Sequence, residues 1–409
     1  MSTPTPRRSL AKGLVFVGAA TMIGNGAAFL LTMVAARILT PEEFGALGAL
    51  LGMLVIVSTV SIAMQAMTAR RVAVAHGADR AMVEGEAIRL SAYVGSAIII
   101  GGVLLSWPIG AVFSIPPLAV ATGIASLAFV VLGSAAMGIA QGREQHVRLS
   151  WAFIANQFGR AFGGILGVLV LQSVTGVGIG VLVGCAVGAF IAYRMICPGA
   201  WSAGLDWPVL IDFGHVVHAL AVLFTLTNVD VLLARIFLTE AQSGEYAVGV
   251  LLAKIAFFLP NAIIIVLFPK MTGGRSSRTV YLATGLTAMV GLVITGFSFL
   301  FGDLVIRILG GAQYTELGSE AWLFALEGSA FALVQVLLYA RLATQDRRAV
   351  IAVWAALVTL VTVVTFWRHD SVAEIVTTVV AVSLVLTVVG LIMDRRQAPN
   401  VPIPVESAE

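Results

Sequence analysis

The chain has 409 residues, 59% of them hydrophobic and only 11% charged, with a mean hydropathy of +1.01, whereas soluble domains carry roughly 25% charged residues. That balance excludes a water-soluble globular enzyme and predicts a polytopic, all-α membrane protein, since a spanning helix needs about 20 mostly apolar residues. The net charge is a small +3, no basic stretch is interleaved with exposed aromatics, and the two cysteines, Cys185 and Cys197, suggest neither a disulfide framework nor a metal site; no nucleic-acid partner is expected.

In chain order, a cytoplasmic tail (1–11) precedes apolar spans at 12–36, 44–69, 89–113, 117–140, 149–172 and 176–196, which make a first lobe, 12–196. A linker (197–207) leads to spans at 208–236, 243–269, 279–301, 320–341, 349–367 and 373–393, a second lobe within 208–394, and a proline-containing tail, 395–409, is expected to be disordered. Twelve transmembrane helices as two pseudo-symmetric six-helix lobes are therefore predicted. Arg7, Arg8 and Lys12 ahead of an apolar run imitate a secretory signal, but the run extends to Arg37 and more spans follow, so it reads as an uncleaved first helix. Gly24-Asn25-Gly26 interrupts it, making Gly24 and Gly26 hinge candidates and Asn25 a polar site candidate.

Orientation follows from the cations. With the N-terminus inside, eighteen Lys and Arg fall on the cytoplasmic side against four, Arg37, Arg235, Arg307 and Arg368, on the outer side. This bias predicts both termini in the cytoplasm. The preference for Arg over Lys suits a GC-rich bacterial genome, and the expected location is the bacterial plasma membrane.

A repeat links the halves. Ala36-Arg37-Ile38-Leu39-Thr40-Pro41-Glu42-Glu43-Phe44-Gly45 follows span 1, and Ala234-Arg235-Ile236-Phe237-Leu238-Thr239-Glu240-Ala241-Gln242-Ser243-Gly244 follows span 7, with one residue inserted. Both lie on the outer side after an odd-numbered span, so the halves share one topology and are related by an axis along the membrane normal, as in parallel-repeat transporters.

No catalytic residue is singled out. The lysines follow Ala11, Ala253 and Pro269, so the Gly-Lys of a phosphate-binding loop is absent from the sequence. Gly176-Val177-Gly178-Ile179-Gly180 has no strand before it and reads as helix-packing material. The loops near 70–88 and 302–319 are too short for a catalytic domain. Asp212, His215 and His218 share a helical face near the start of span 7, and interfacial anchoring explains them better than a metal.

Ionisable groups inside spans carry the functional signal, because a central charge costs about 2.5–3.5 kcal/mol on insertion scales and normally faces water or a partner. Arg160 falls near the middle of span 5, with Asn156 one turn before it and Gly159, Gly163 and Gly167 on an adjoining face. Lys254 in span 8 is followed by Asn261 on the same face, with Pro260 expected to kink the helix between them. Structural ion pairing is the competing explanation for both cations, with Asp230 as a partner for Lys254. Asp230 and Glu327 are candidates to carry a coupling proton or Na+, or to balance a cavity cation; no other cofactor is expected. Gln65, Gln157 and Gln335 could bond a sugar or another helix.

Several of these segments resemble a known family. Leu39-Thr40-Pro41-Glu42-Glu43-Phe44-Gly45 resembles the "LGPEDFG" turn of polysaccharide-export flippases. Asn228-Val229-Asp230-Val231-Leu232-Leu233, Gly244-Glu245-Tyr246-Ala247, Phe258-Leu259-Pro260 and Leu267-Phe268-Pro269-Lys270 are similar to the "DVLLVGYFLG…GLYSAA…FLP…LFPRL" stretch. These are the Wzx-type flippases of the multidrug/oligosaccharidyl-lipid/polysaccharide (MOP) exporter superfamily. The resemblance implies two lobes in a V that rock between inward-open and outward-open states, moving a polyprenyl-diphosphate-linked glycan from the inner to the outer leaflet. It implies that the head group crosses a central cavity while the tail stays in lipid near spans 1 and 8, with Arg160 and Lys254 matching the family's cavity cations in type and depth. Membrane lipids, a polysaccharide polymerase and glycosyltransferases are the implied partners. Twelve spans argue against the fourteen-span peptidoglycan-precursor branch. The alternatives are a cation-coupled multidrug antiporter and a non-transporting membrane subunit of a glycan-assembly complex.

Overall fold

The computed structural model describes residues 6–197, 207–260, 277–342 and 347–397. The described residues form α1 (Pro6–Ile38), α2 (Pro41–Val57), α3 (Thr59–Val74), α4 (Gly77–Phe113), α5 (Pro117–Gly142), α6 (His146–Leu171), α7 (Val174–Ile196), α8 (Trp207–Leu226), α9 (Val229–Phe237) and α10 (Glu240–Phe258). They continue as α11 (Ser277–Leu300), α12 (Gly302–Leu309), a 3-10 segment (Ala312–Glu320), α13 (Ala321–Leu342), α14 (Arg347–Phe366) and α15 (Val372–Gln397). Among the described residues, 10 helices are long and apolar enough to cross a membrane, and Val350–Phe366 is a shorter apolar one. The protein is a multi-pass, all-α membrane protein. The later part of the predicted eighth span, from 261, and the tail after 397 lie outside the described residues.

Two predicted spans are broken rather than continuous. Span 2 divides at Ser58, where the Ser58 and Thr59 hydroxyls donate to the carbonyls of Val55 and Ile56. Span 7 divides at Thr227-Asn228, where the Asn228 amide donates to the Phe224 carbonyl at 2.9 Å and to the Thr227 hydroxyl. In both, short polar side chains compete with the backbone ladder, a recognised cause of helix interruption. Conversely, the predicted loops 70–88 and 302–319 are largely helical: α4 begins at Gly77, and α12 and the 3-10 segment fill the second.

The chain forms two compact units, Met1–Leu251 with Arg307–Thr315 and His369–Val372, and Leu252–Ile306 with Glu316–Arg368 and Ala373–Glu409. In the first, α6 and α7 meet along a glycine seam. A Cβ on Gly159 would run into the Gly184 carbonyl, one on Gly163 into that of Gly180, and one on Gly167 into that of Gly176. Lipid tails are as apolar as the side chains they would replace, so close backbone approach and dispersion hold such helices together. The predicted packing roles of Gly159, Gly163, Gly167, Gly176 and Gly180 are thus observed.

The N-terminal part of α4, on the side predicted to be cytoplasmic, is held by charge. Glu84 and Glu86 are buried; Arg143 bonds both Glu84 carboxylate oxygens, and Arg71 reaches Glu86 at 2.7 Å. Arg143 Nη1 also donates to the Ile196 carbonyl at 3.1 Å, closing the C-terminus of α7. The bond to Glu84 raises the Arg143 guanidinium above its ordinary range, so it stays charged at any working pH. Arg143→Gln, which leaves a carboxylate only 5% exposed without its cation, should destabilise the fold by about 2–4 kcal/mol. Thermal unfolding in detergent checks this, and Glu84→Gln with Arg143→Gln should recover much of the loss; simple additivity of the two changes would refute the coupling.

In the second unit α11 packs on α13, with Gly291 against Ser329, and Gly302 at the start of α12 meets Gly318 of the 3-10 segment. Phe299 stacks edge-on to Trp322 at 6.1 Å, and Phe366 and Trp367 are exposed. These aromatics lie at the helix ends predicted to be outer, where amphipathic rings favour the lipid–water interface.

Candidate functional site

Arg160 sits near the midpoint of α6, ~21 Å from its start and ~16 Å from its end at 1.5 Å per residue. Its surroundings follow from the helical periodicity. The face carrying Asn156, Gly159 and Gly163 is pressed on α7. The face carrying Phe153, Gln157 and Gly164 meets α1, with Gln157 and Phe153 against Gly24, and Gly164 against Leu31. Arg160 falls between these two stripes, partly exposed and within electrostatic reach of the Cys185 thiol of α7. Among the described residues it makes no hydrogen bond or ion pair. An arginine so deep in a span, with no partner among the described residues, is a candidate functional residue.

Asn156, one turn earlier, is 3% exposed. Its Nδ2 has no hydrogen-bond partner among the described residues and lies over Gly133 of α5, whose missing side chain makes the room. Asn25 is exposed on α1, Gly26 borders open space, and α1 runs through Gly24-Asn25-Gly26 as one continuous helix. Gln65 is engaged elsewhere: its amide donates to Gln141 of α5 at 3.0 Å.

The break in span 7 builds a second polar centre. Asp230 is 1% exposed in the first turn of α9, where the positive end of the helix dipole favours a carboxylate, and it accepts a hydrogen bond at 3.1 Å from the Tyr246 hydroxyl of α10. Half-helix ends of this kind line ion and substrate sites in broken-helix transporters. Tyr246 is fully buried and escaped the chemical reading of the sequence, although it lies in the Gly244-Glu245-Tyr246-Ala247 segment; a tyrosine in an apolar run gives no signal until its partner is placed.

Lys254 and Glu327 belong to the second unit. Their helices touch where a Cβ on Gly328 would strike the Ala253 carbonyl, so the ammonium and the buried carboxylate are carried at one level of α10 and α13. Regular helix ends at Phe258, two residues before Pro260, as expected from the clash of a proline ring with the preceding turn. Asn261 lies outside the described residues. Among those described, no group of three or more His, Cys, Asp or Glu could hold a metal. Beyond the α7 C-terminus, burial pushes the Cys197 thiol up to about 12, which keeps it protonated.

The first unit offers a guanidinium and an amide on α6 and a carboxylate–phenol pair at a helix break; the second offers an ammonium level with a carboxylate. By its chemistry a guanidinium suits an anion, and a carboxylate suits a proton or a cation.

Comparison with solved structures gives the same fold. A multidrug resistance MATE family transporter of the MOP superfamily, in its inward-facing conformation, superposes with a TM-score of 0.75 at 14% identity, covering 94% of this chain and 97% of that one. The lipid II flippase MurJ in an inward closed conformation gives 0.77 at 13% identity, covering 94% and 88%. A MOP superfamily transporter from Pyrococcus furiosus gives 0.60 at 14% identity, covering 95% of each chain. No curated protein matches the sequence. The profile of one family, described as polysaccharide biosynthesis protein, matches residues 10–275. With that match over more than half its length, on a helical membrane fold shared with MOP-superfamily transporters, the chain belongs to the polysaccharide biosynthesis protein family.

Proposed function

We infer that the protein is a flippase that carries a polyprenyl-diphosphate-linked oligosaccharide from the inner to the outer leaflet of a bacterial plasma membrane, by alternating access between two six-helix lobes with both termini in the cytoplasm. The observation that carries this reading is Arg160, a mid-span guanidinium without a protein partner among the described residues. A diphosphate brings about two negative charges that cannot enter hydrocarbon unaided, and a fixed guanidinium offsets part of that desolvation cost. Lys254, balanced by Glu327 when no substrate is present, would serve as a second contact for the head group. Asp230, at the α9 terminus, would be the group that takes up a coupling proton or Na+. The chain acts in this reading as a transporter rather than an enzyme, handing its product to a polymerase or glycosyltransferases.

The experiment is depletion. Lipid-linked glycan should accumulate on the cytoplasmic leaflet, read by its inaccessibility to an externally added glycan-modifying enzyme, while surface polysaccharide falls. Unchanged surface polysaccharide in a strain without a second copy of the gene would overturn the reading. The fold shared with a multidrug MATE transporter supports a competing reading as a cation-coupled drug antiporter. That reading requires altered sensitivity to lipophilic cations with envelope glycans intact.

A further inference from the structure

The two copies of the sequence repeat meet face to face within the first compact unit, at the ends of their helices on the side predicted to be outer. In the repeat register Gly45 corresponds to Gly244, and Gly48 to Ala247. A Cβ on Gly45 would run into Ser243 and the Gly244 nitrogen, one on Gly244 into the Pro41 carbonyl, and one on Gly48 into the Ala247 side chain. Gly45 thus meets its own counterpart Gly244, and Gly48 meets its counterpart Ala247, the pattern of a self-complementary contact lying on a two-fold axis. The start of α2 and the start of α10 are the elements that meet there.

The repeat-equivalent arginines complete the contact reciprocally. Arg235, at the end of α9, is 7% exposed and directs Nε to the Phe113 carbonyl at 2.9 Å and Nη2 to that of Ser114 at 2.9 Å, at the outer end of α4. Its Nη1 donates to the Glu42 carbonyl at 3.2 Å and to Ser243 at 2.9 Å, and Glu240 faces Nη2 at 3.5 Å. Arg37, at the end of α1, donates from Nη2 to the Ile308 carbonyl at 2.7 Å, near the end of α12. An arginine following span 1 therefore reaches the segment after span 9, and its counterpart following span 7 reaches the end of span 3. Gly311, whose φ of +103° only glycine adopts readily, turns the chain so that Gln313 donates to the Ala36 and Leu39 carbonyls, at 2.7 and 3.3 Å. Among the described residues six hydrogen bonds thus pass between the two sequence halves here, five to carbonyls at or beside helix C-termini and one to Glu42 at the start of α2. Helix C-terminal carbonyls lack partners within their own helix and carry the negative end of its dipole, so a cation suits them. Water can replace each of these donors, which keeps the contact reversible.

The geometry points to a reciprocal clasp: Arg37 and Arg235, with Gln313 and the Gly45/Gly244 contact, form the outer closure of the protein, and all must separate when the site opens outward. This rests on the alternating-access reading above, and its test is chosen to fail separately. In full-length protein with Cys185 and Cys197 replaced by Ala, spin labels are placed at the exposed positions 116 and 241, one on each side of the clasp, and their distance distribution is measured in nanodiscs. The parent should show one dominant short distance. Arg235→Gln with Arg37→Gln should raise the population of a longer distance by about tenfold or more, and Gly244→Val, which wedges the contact without touching a charge, should do the same. Should the Arg235 variant fail to fold, the exposed Arg37→Gln alone decides, with a smaller shift in the same direction. Distributions matching the parent in the folded variants overturn the clasp. Separated labels in the variants, with a parent protein that flips no glycan in proteoliposomes, would sink the transport reading and leave the clasp standing; unchanged labels in the variants, with intact flipping by the parent, would do the reverse.

Discussion

Arg160→Gln should lower flipping of a diphosphate-linked glycan by roughly 10- to 100-fold, equivalent to losing about 1.4–3 kcal/mol of a charge-assisted contact in a low-dielectric site. Gln keeps a polar, hydrogen-bonding end on a shorter side chain and removes the charge and the forked donor geometry. Arg160→Lys should fall between the two, since an ammonium keeps the charge without the bidentate fork. Two readouts belong together here. Because Arg160 has no protein partner among the described residues, its removal strands no counter-charge, and the melting temperature of the purified protein should hold or rise. A structural arginine would give the opposite result: lost stability with flipping unaffected per folded molecule. Flipping measured in proteoliposomes and melting measured in detergent on the same preparation separate the outcomes.

Gly184→Leu is expected to produce the largest loss of stability among single changes in the first unit. A side chain at position 184 has nowhere to go: a Cβ there would meet the Gly159 carbonyl and approach the Arg160 nitrogen. Forcing α6 and α7 apart gives up contacts along the whole seam, so a cost of at least about 3 kcal/mol is expected, beyond the usual overpacking range of 1–3. Gly101→Leu in α4 is the control, because nothing lies within 4 Å of a Cβ there. It should leave stability unchanged or slightly raised through the better helix propensity of leucine. Equal losses at the two positions would show that the seam is not special.

Hydropathy located ten of the twelve predicted spans as helices long and apolar enough to cross a membrane among the described residues, because length and apolarity set them directly, and glycine spacing located the seam because four-residue periodicity defines one helix face. The breaks at Ser58 and Asn228 were not legible. Each depends on whether a hydroxyl or amide turns back onto a carbonyl one turn away, and Ser, Thr and Asn elsewhere in the chain do so without interrupting the helix, as Thr32 does with Ala28. The helical extension of α4 was hidden because its charged turn reads as a loop until Glu84 and Glu86 find Arg143 and Arg71. At the candidate site the titratable residues could be picked by depth, whereas their company could not. Gln65 is joined to Gln141, and Asp230 to Tyr246, partners 76 and 16 residues away. Arg235 reads in the sequence as an outer charge and as the repeat counterpart of Arg37, whereas the Phe113 and Ser114 carbonyls it meets lie 122 and 121 residues away and leave no local sign.

The seam between α6 and α7 also limits what can move. Backbone touches backbone beside Arg160, and neither helix can slide by a fraction of a turn without driving carbonyls into one another. The guanidinium is thereby moored to its helix pair, like a lamp on a fixed post: any visitor must be delivered to it and collected from it by rearrangement elsewhere in the molecule.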